Sequence, residues 1–173
     1  MPKQKPIIEQ VKNISPKTLL KIIQRAKNYL KTNDVWIDAC KEYDVEPDII
    51  DLFPVKFGDL PVSARTARGI ITLSWKLLEG GDFFKNYGYL LHESAHVLRQ
   101  CFDNKPSIGA DEGDYLSNPD EQEAFQFQVE YIDDQFGEQH AEDYVDNLLD
   151  HHKVDDEDRE EKKDVLMERV DDK

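Results

Sequence analysis

The chain has 173 residues and 20.1 kDa, the size of one domain with a short appendage, and 39% apolar residues, enough to exclude a wholly disordered polymer. Its net charge of −15 is uneven, +7 over residues 1–31 and −22 beyond, so the main body repels phosphate backbones and duplex nucleic acid is not an expected partner. No run approaches the roughly 18 apolar residues of a membrane span, the opening MPKQKPIIEQ lacks the apolar stretch of a secretory signal, and two cysteines without close pairing read as buried thiols in a reducing compartment. These features lead us to expect a soluble cytoplasmic protein, or one associated with the virion if the chain is phage-encoded.

Ser15 followed by Pro16 is the signature of a helix start, and Leu19, Leu20, Ile22, Ile23, Ala26, Tyr29 and Leu30 recur at helical spacing, predicting a helix over 16–31. Its lysine-rich outer face reads as a solvated surface. Asn33 or Asp34 caps a second predicted helix, a third short one spans Glu46 to Phe53, and Pro54 stops it. Ile70 to Trp75 is the clearest strand, with Val55 to Phe57 and Val62 as weaker pairing candidates. Asp82 caps the next predicted helix, which runs to Cys101, and residues 104–120 read as a long loop. Asp120 starts a helix ended by Gly137, and another carries Ala141, Tyr144, Val145, Leu148 and Leu149. From Lys153 onward apolar residues are sparse, which predicts a solvated helix or tail.

The segment Tyr89 to Leu98 holds His92-Glu93-Ser94-Ala95-His96 inside an apolar helical pattern. The chance of such an H-E-x-x-H pentapeptide somewhere in a shuffled chain of this composition is roughly 0.01, so the match carries weight. Residues four apart share a helix face, and His92 and His96 can therefore offer imidazole nitrogens to one zinc ion at about 2.0–2.1 Å. Glu93, rotated about 100° from His92, is placed to act as a general base on water whose pKa zinc lowers toward 7.

Catalytic zinc takes a third protein ligand. The following helix offers Glu123, next to the small Ala124 and on a stripe with Phe127 and Glu130, and this residue is the expected ligand; Glu121 and Glu130 are the rivals. Glu121 reads otherwise as a carboxylate favouring the helix N-terminus. Candidate donors for a developing oxyanion are Tyr115, Tyr131 and, more weakly, His140, while His151 and His152 read as surface residues.

HESAHVLRQ, followed 27 positions after its second histidine by the Glu123 of NPDEQEAFQF, resembles the gluzincin zinc metallopeptidases, particularly small members of the ImmA/IrrE kind and related phage and mobile-element peptidases. RGIITLSWKLLEG is similar to the strand that forms the edge of the cleft in minimal zincins. The likeness covers about residues 66–136, and it implies His92, His96 and Glu123 as ligands, Glu93 as base and a peptide bond as substrate. Phe127 departs from the pattern, standing where thermolysin-like gluzincins carry an acid.

The expected fold is α+β, a mostly helical minimal zincin with a small sheet beside the H-E-x-x-H helix. Its parts are a helical segment over 1–54, a metallopeptidase core over 55–152 and an acidic tail over 153–173. The expected activity is peptide-bond hydrolysis with one Zn2+ and a peptide or protein substrate. The alternative is a non-catalytic module whose zinc closes a helix pair, for which a fourth ligand from Asp111, Glu112 or Asp114 would speak.

Overall fold

The computed structural model describes residues 14–81, 83–102 and 115–172. Helix α1 (Pro16–Lys31) opens as its sequence dictates, with Ser15 Oγ accepting from the Thr18 amide at 3.1 Å. It buries Ile23, Ala26 and Leu30, and also Lys27, whose ammonium donates to the Phe53 carbonyl at 2.7 Å. Helix α2 (Asp34–Glu42) is capped by Asn33 and buries Trp36 completely, the indole N–H donating to the Pro47 carbonyl at 3.0 Å. The third helical segment is a 3-10 turn, Pro47–Leu52.

Three short strands follow, β1 (Val55–Gly58), β2 (Ala64–Ala67) and β3 (Ile70–Ser74), in the order β1-β3-β2. β1 runs parallel to β3 with Val55 opposite Ile71, and β2 runs antiparallel to it with Thr66 opposite Ile71. The β2–β3 hairpin turns on Arg68 and Gly69 at φ 53° and 75°, a pair of left-handed residues whose twist suits a two-residue connection. β3 is therefore central in the sheet: Leu73 and Ile71 are fully buried, and β2, built on Ala64-Arg65-Thr66-Ala67 with little strand signal, lies at the edge beside the H-E-x-x-H helix.

A 3-10 segment, Trp75–Gly81, and a turn at Phe84–Asn86 precede helix α3 (Tyr87–Phe102), which thus starts later than expected; Asp82 lies outside the described residues. Helices α4 (Pro119–Phe136) and α5 (Glu138–His151) meet at Gly137, whose φ of 96° turns the chain without a linker. Helix α6 (Asp156–Asp171) follows after a short turn.

Two apolar clusters hold these elements. One joins α1, α2, the sheet and α3 with Ala124, Phe127 and Tyr131 of α4, so the N-terminal helices share a core with the segment that follows them. The other packs Phe125 and Val129 from the opposite side of α4 against Ala141, Val145 and Leu149 of α5 and Leu166, Met167 and Val170 of α6. The C-terminal segment is helical as expected, but it is not solvated all round. Arg169 fastens it, reaching Glu130 at 2.5 Å and Glu42 at 3.0 Å with its guanidinium 4.4 Å over the Phe127 ring. Both cysteines are free, and only Cys40 is buried; Cys101 is exposed. No helix among the described residues is long and apolar enough to cross a membrane.

Candidate metal centre

His92 and His96 project from one face of α3, four residues apart, and their Nε2 atoms lie 3.2 Å from one another. Both rings are buried, and His92 is wedged edge-on against Phe125 of α4 at 4.4 Å between centroids. α4 runs back antiparallel along α3, Gln128 and Tyr131 lying by Gly88 at one end and Asp120 and Glu123 by Arg99 at the other.

The carboxylate this packing delivers to the two rings is Glu121. Its Oε2 lies 3.2 Å from His92 Nε2 and its Oε1 3.1 Å from His96 Nε2. Burial alone would push the Glu121 carboxyl up, but hydrogen bonds from His92 and His96 outweigh it and hold the group well below the usual carboxylate range. Burial likewise disfavours the charged form of His96, and the hydrogen bond and charge of Glu121 reverse that, raising its pKa.

The expectation of Glu123 as third ligand is corrected by these positions. Glu123 is two residues beyond Glu121, about 200° around a helix, so one of them can face the histidines and the other cannot. Glu123 accepts from Arg99 at 2.6 Å and from the Tyr43 hydroxyl at 2.5 Å. Arg99 also pairs with Asp120, so it grips α4 on both sides of Glu121 and sets the phase of that helix. Glu130 pairs with Arg169, away from the histidines.

Glu93 is 7% exposed, and its Oε2 accepts a 2.6 Å hydrogen bond from Thr66 Oγ1 on the edge strand β2. No motif in the sequence marks Thr66; the pairing of β2 with β3 brings it there. A cavity of about 590 Å³ opens on one side, lined by His92 and Glu93 together with Tyr89, Phe125, Tyr144 and Leu148. A smaller one of about 250 Å³ is lined by Glu93, His96 and Glu121 with Arg65, Thr66 and Gln100.

Of the candidate oxyanion donors, Tyr115 lines both cavities, and burial and then the neighbouring Glu121 charge raise the pKa of its phenol, which keeps it protonated as a donor. Tyr131 sits in the main core and His140 is exposed on α5 beside Phe136. His151 is exposed, as its surface reading expects, whereas His152 is half-buried. Both line the larger cavity, and the half-buried His152 stacks on Tyr115 at 4.9 Å. Asp111, Glu112 and Asp114 lie outside the described residues.

Among the described residues, His92, His96 and Glu121 are the group able to hold a metal ion together. Comparison of the chain with protein-family models, with curated proteins and with solved structures gives no match.

Proposed function

We propose that this chain is a zinc-dependent metallopeptidase whose ligands are His92, His96 and Glu121 and whose general base is Glu93. The observation that carries the reading is the close approach of three side chains: the two histidine Nε2 atoms lie 3.2 Å apart, and each lies 3.1 to 3.2 Å from one oxygen of the Glu121 carboxylate. Three corners of a tetrahedron drawn about a centre at 2.0 Å are roughly 3.3 Å apart, the ligand distance of a zinc site. Two imidazoles and one carboxylate are also the donor set of a hydrolytic zinc site. In the fold these groups hydrogen-bond one another, and a shared cation would take the place of those contacts.

When bound there, zinc would supply Lewis acidity, lowering the pKa of water toward about 7 and polarising a carbonyl group. The rest is work for the chain's own residues. The Glu93 carboxylate takes the proton of the attacking water and passes it to the leaving amine. Thr66 donates to Oε2 of that carboxylate and so fixes its rotamer, leaving Oε1 to meet the water. Tyr115 lines the site with its hydroxyl hydrogen-bonded to Glu121, which supports a role as donor to the carbonyl oxygen as negative charge grows on it. Among the described residues β2 pairs with β3 alone, and its other edge supports an extended peptide lying alongside as an added strand.

The free, exposed Cys101 supports a cytoplasmic setting, where thiols stay reduced. The acidic body argues against duplex nucleic acid as a partner. The decisive experiment compares the native chain with Glu93→Gln, each loaded with zinc, against a mixture of peptides. We expect the variant to keep stoichiometric metal and to lose at least about a hundredfold in turnover, the usual contribution of a general base. Equal turnover in both proteins would remove Glu93 from the mechanism.

A further inference from the structure

Helix α1 carries Lys17, Lys21, Arg25, Lys27 and Lys31 and no acidic residue, +5 in a chain of −15 and so −20 elsewhere. Two of these cations are used inside the fold: Lys27 donates to the Phe53 carbonyl at 2.7 Å, and Lys31 pairs with Asp51 at 2.7 Å. Lys17 and Lys21 are exposed, and among the described residues no acid pairs with either. They stand at the rim of a groove of about 740 Å³ between α1 and the segment from Asp51 to Val55. Leu20 and Leu52 line the same groove, and at 64% and 75% they are the most exposed large apolar side chains of the described residues. Ile23 and Phe53, both buried in the main core, lie beneath them. The one carboxylate of the lining, Asp51, is already taken by Lys31 and by Gln24 at 3.0 Å. Lys17, Leu20, Lys21 and Gln24 are three or four apart on the helix, so apolar and cationic groups share one outward stripe. A face meant only for water needs the lysines and not the leucines; apolar side chains gathered in a recess with a charged rim mark an interaction surface.

We infer that this groove docks an acidic segment of a partner protein, whose apolar side chains cover Leu20 and Leu52 while its carboxylates meet Lys17 and Lys21. Charge decides among the occupants. A second copy joined by a two-fold axis would set the five cations of one α1 against the same five of the other, and a head-to-tail contact with the acidic body would not close. Residues 1–13 of the chain carry Lys3, Lys5 and Lys12 against Glu9, so they are basic like the rim itself. An anionic bilayer would attract α1, but it would repel the −20 of the remaining chain and offers no side chain to enter the recess above Ile23 and Phe53. The groove borders β1, whereas Glu93 meets β2 on the other side of β3, so a bound segment leaves the metal centre free. The inference therefore stands apart from whichever reaction that centre carries out.

The test titrates the isotope-labelled full-length protein with two pools of short blocked peptides, one mixing Asp and Glu with Leu and Phe, the other mixing Lys and Arg with the same apolar residues. We expect the acidic pool to bind about tenfold or more tightly than the basic one, with NMR shifts centred on the amides of Leu20, Lys21 and Leu52. That binding should weaken as salt rises from about 50 mM to about 500 mM. Lys17→Glu combined with Lys21→Glu should lower the affinity for the acidic pool about tenfold or more, and so should Leu20→Ser combined with Leu52→Ser. All four positions are exposed, and unfolding curves verify that both double variants fold. Equal binding of the two pools, no binding of the acidic pool, or an affinity that either double variant leaves unchanged would overturn the inference. Three outcomes would overturn it by naming another occupant. These are nuclear Overhauser contacts from residues 1–13 to the Leu52 methyls in the free protein, self-association in the ultracentrifuge that the serine variant abolishes, and sedimentation with phosphatidylserine vesicles that the glutamate variant abolishes.

Discussion

Exchange of the two glutamates of α4 separates a metal ligand from a residue that only holds the helix in place. Glu121 touches both imidazoles, at 3.2 and 3.1 Å, whereas Glu123 faces Arg99 and Tyr43. Glu121→Gln keeps the volume and removes the anionic donor, leaving two ligands from a single helix. Loss of outer hydrogen-bond partners of a metal site costs about 10–100-fold in affinity, and loss of a ligand exceeds that; we expect about a thousandfold, or about 4 kcal/mol. Glu123→Gln weakens one of the carboxylate contacts of Arg99 while Asp120 retains the other. It should leave zinc affinity within about tenfold and cost instead about 1–2 kcal/mol of folding stability, the worth of a hydrogen bond to a charged group that is only partly shielded from water. Competition against a chelating dye at pH 7.5 gives the affinities, and urea unfolding of the metal-free proteins gives the stabilities. If Glu123→Gln released zinc and Glu121→Gln held it, the assignment of which face of α4 meets α3 would be refuted.

Four further outcomes follow from particular contacts. Thr66→Val removes the hydroxyl that holds Glu93 with little change of shape, so turnover should fall about tenfold with zinc affinity unchanged, and Thr66→Ser should restore it; full activity in the valine variant would show that the 2.6 Å bond has no role in positioning the base. Burial, aided by the Glu46 charge, pushes the Cys40 thiol from 9.0 up to about 12, so iodoacetamide at pH 8 should modify Cys101 alone until denaturant is added. Because the folded state keeps that proton and the unfolded chain releases it, the contribution of Cys40 to stability is intact below pH 9 and declines toward pH 12, by at most about 1.4 kcal/mol per pH unit. Leu166→Ala on α6 should cost about 2–4 kcal/mol in chemical denaturation, since the side chain is 1% exposed; a change below about 0.5 kcal/mol would mean that this helix is not part of the core.

Much of this protein was legible because the signals are local. Ser15-Pro16 is a cap and a first turn whatever lies around it, and the spacing of His92 and His96 puts two imidazoles on one side of any helix. The α+β class, the helix positions and the two histidines follow from such periodicities. The edge strand did not, because Ala64-Arg65-Thr66-Ala67 has almost no apolar alternation; its pairing is imposed by the Arg68-Gly69 turn folding it back on β3. The role of α6 was hidden for a similar reason. Leu166, Met167 and Val170 are few among many charges, but they fall within one turn of each other and so form a contact face.

The residue types of the site and the register of its first helix were determined by sequence alone, since one turn of an α-helix is fixed by backbone geometry within five residues. Which carboxylate completes the set was not. Glu121 and Glu123 lie two residues apart near the start of α4, and the choice between them is a rotation of that helix about its own axis. That rotation is set by Arg99 gripping Asp120 and Glu123, by Tyr43 reaching from α2 and by Phe127 and Phe125 entering two different clusters. Those partners come from segments as much as 80 residues away along the chain, so the phase of α4 exists only once the helices have packed.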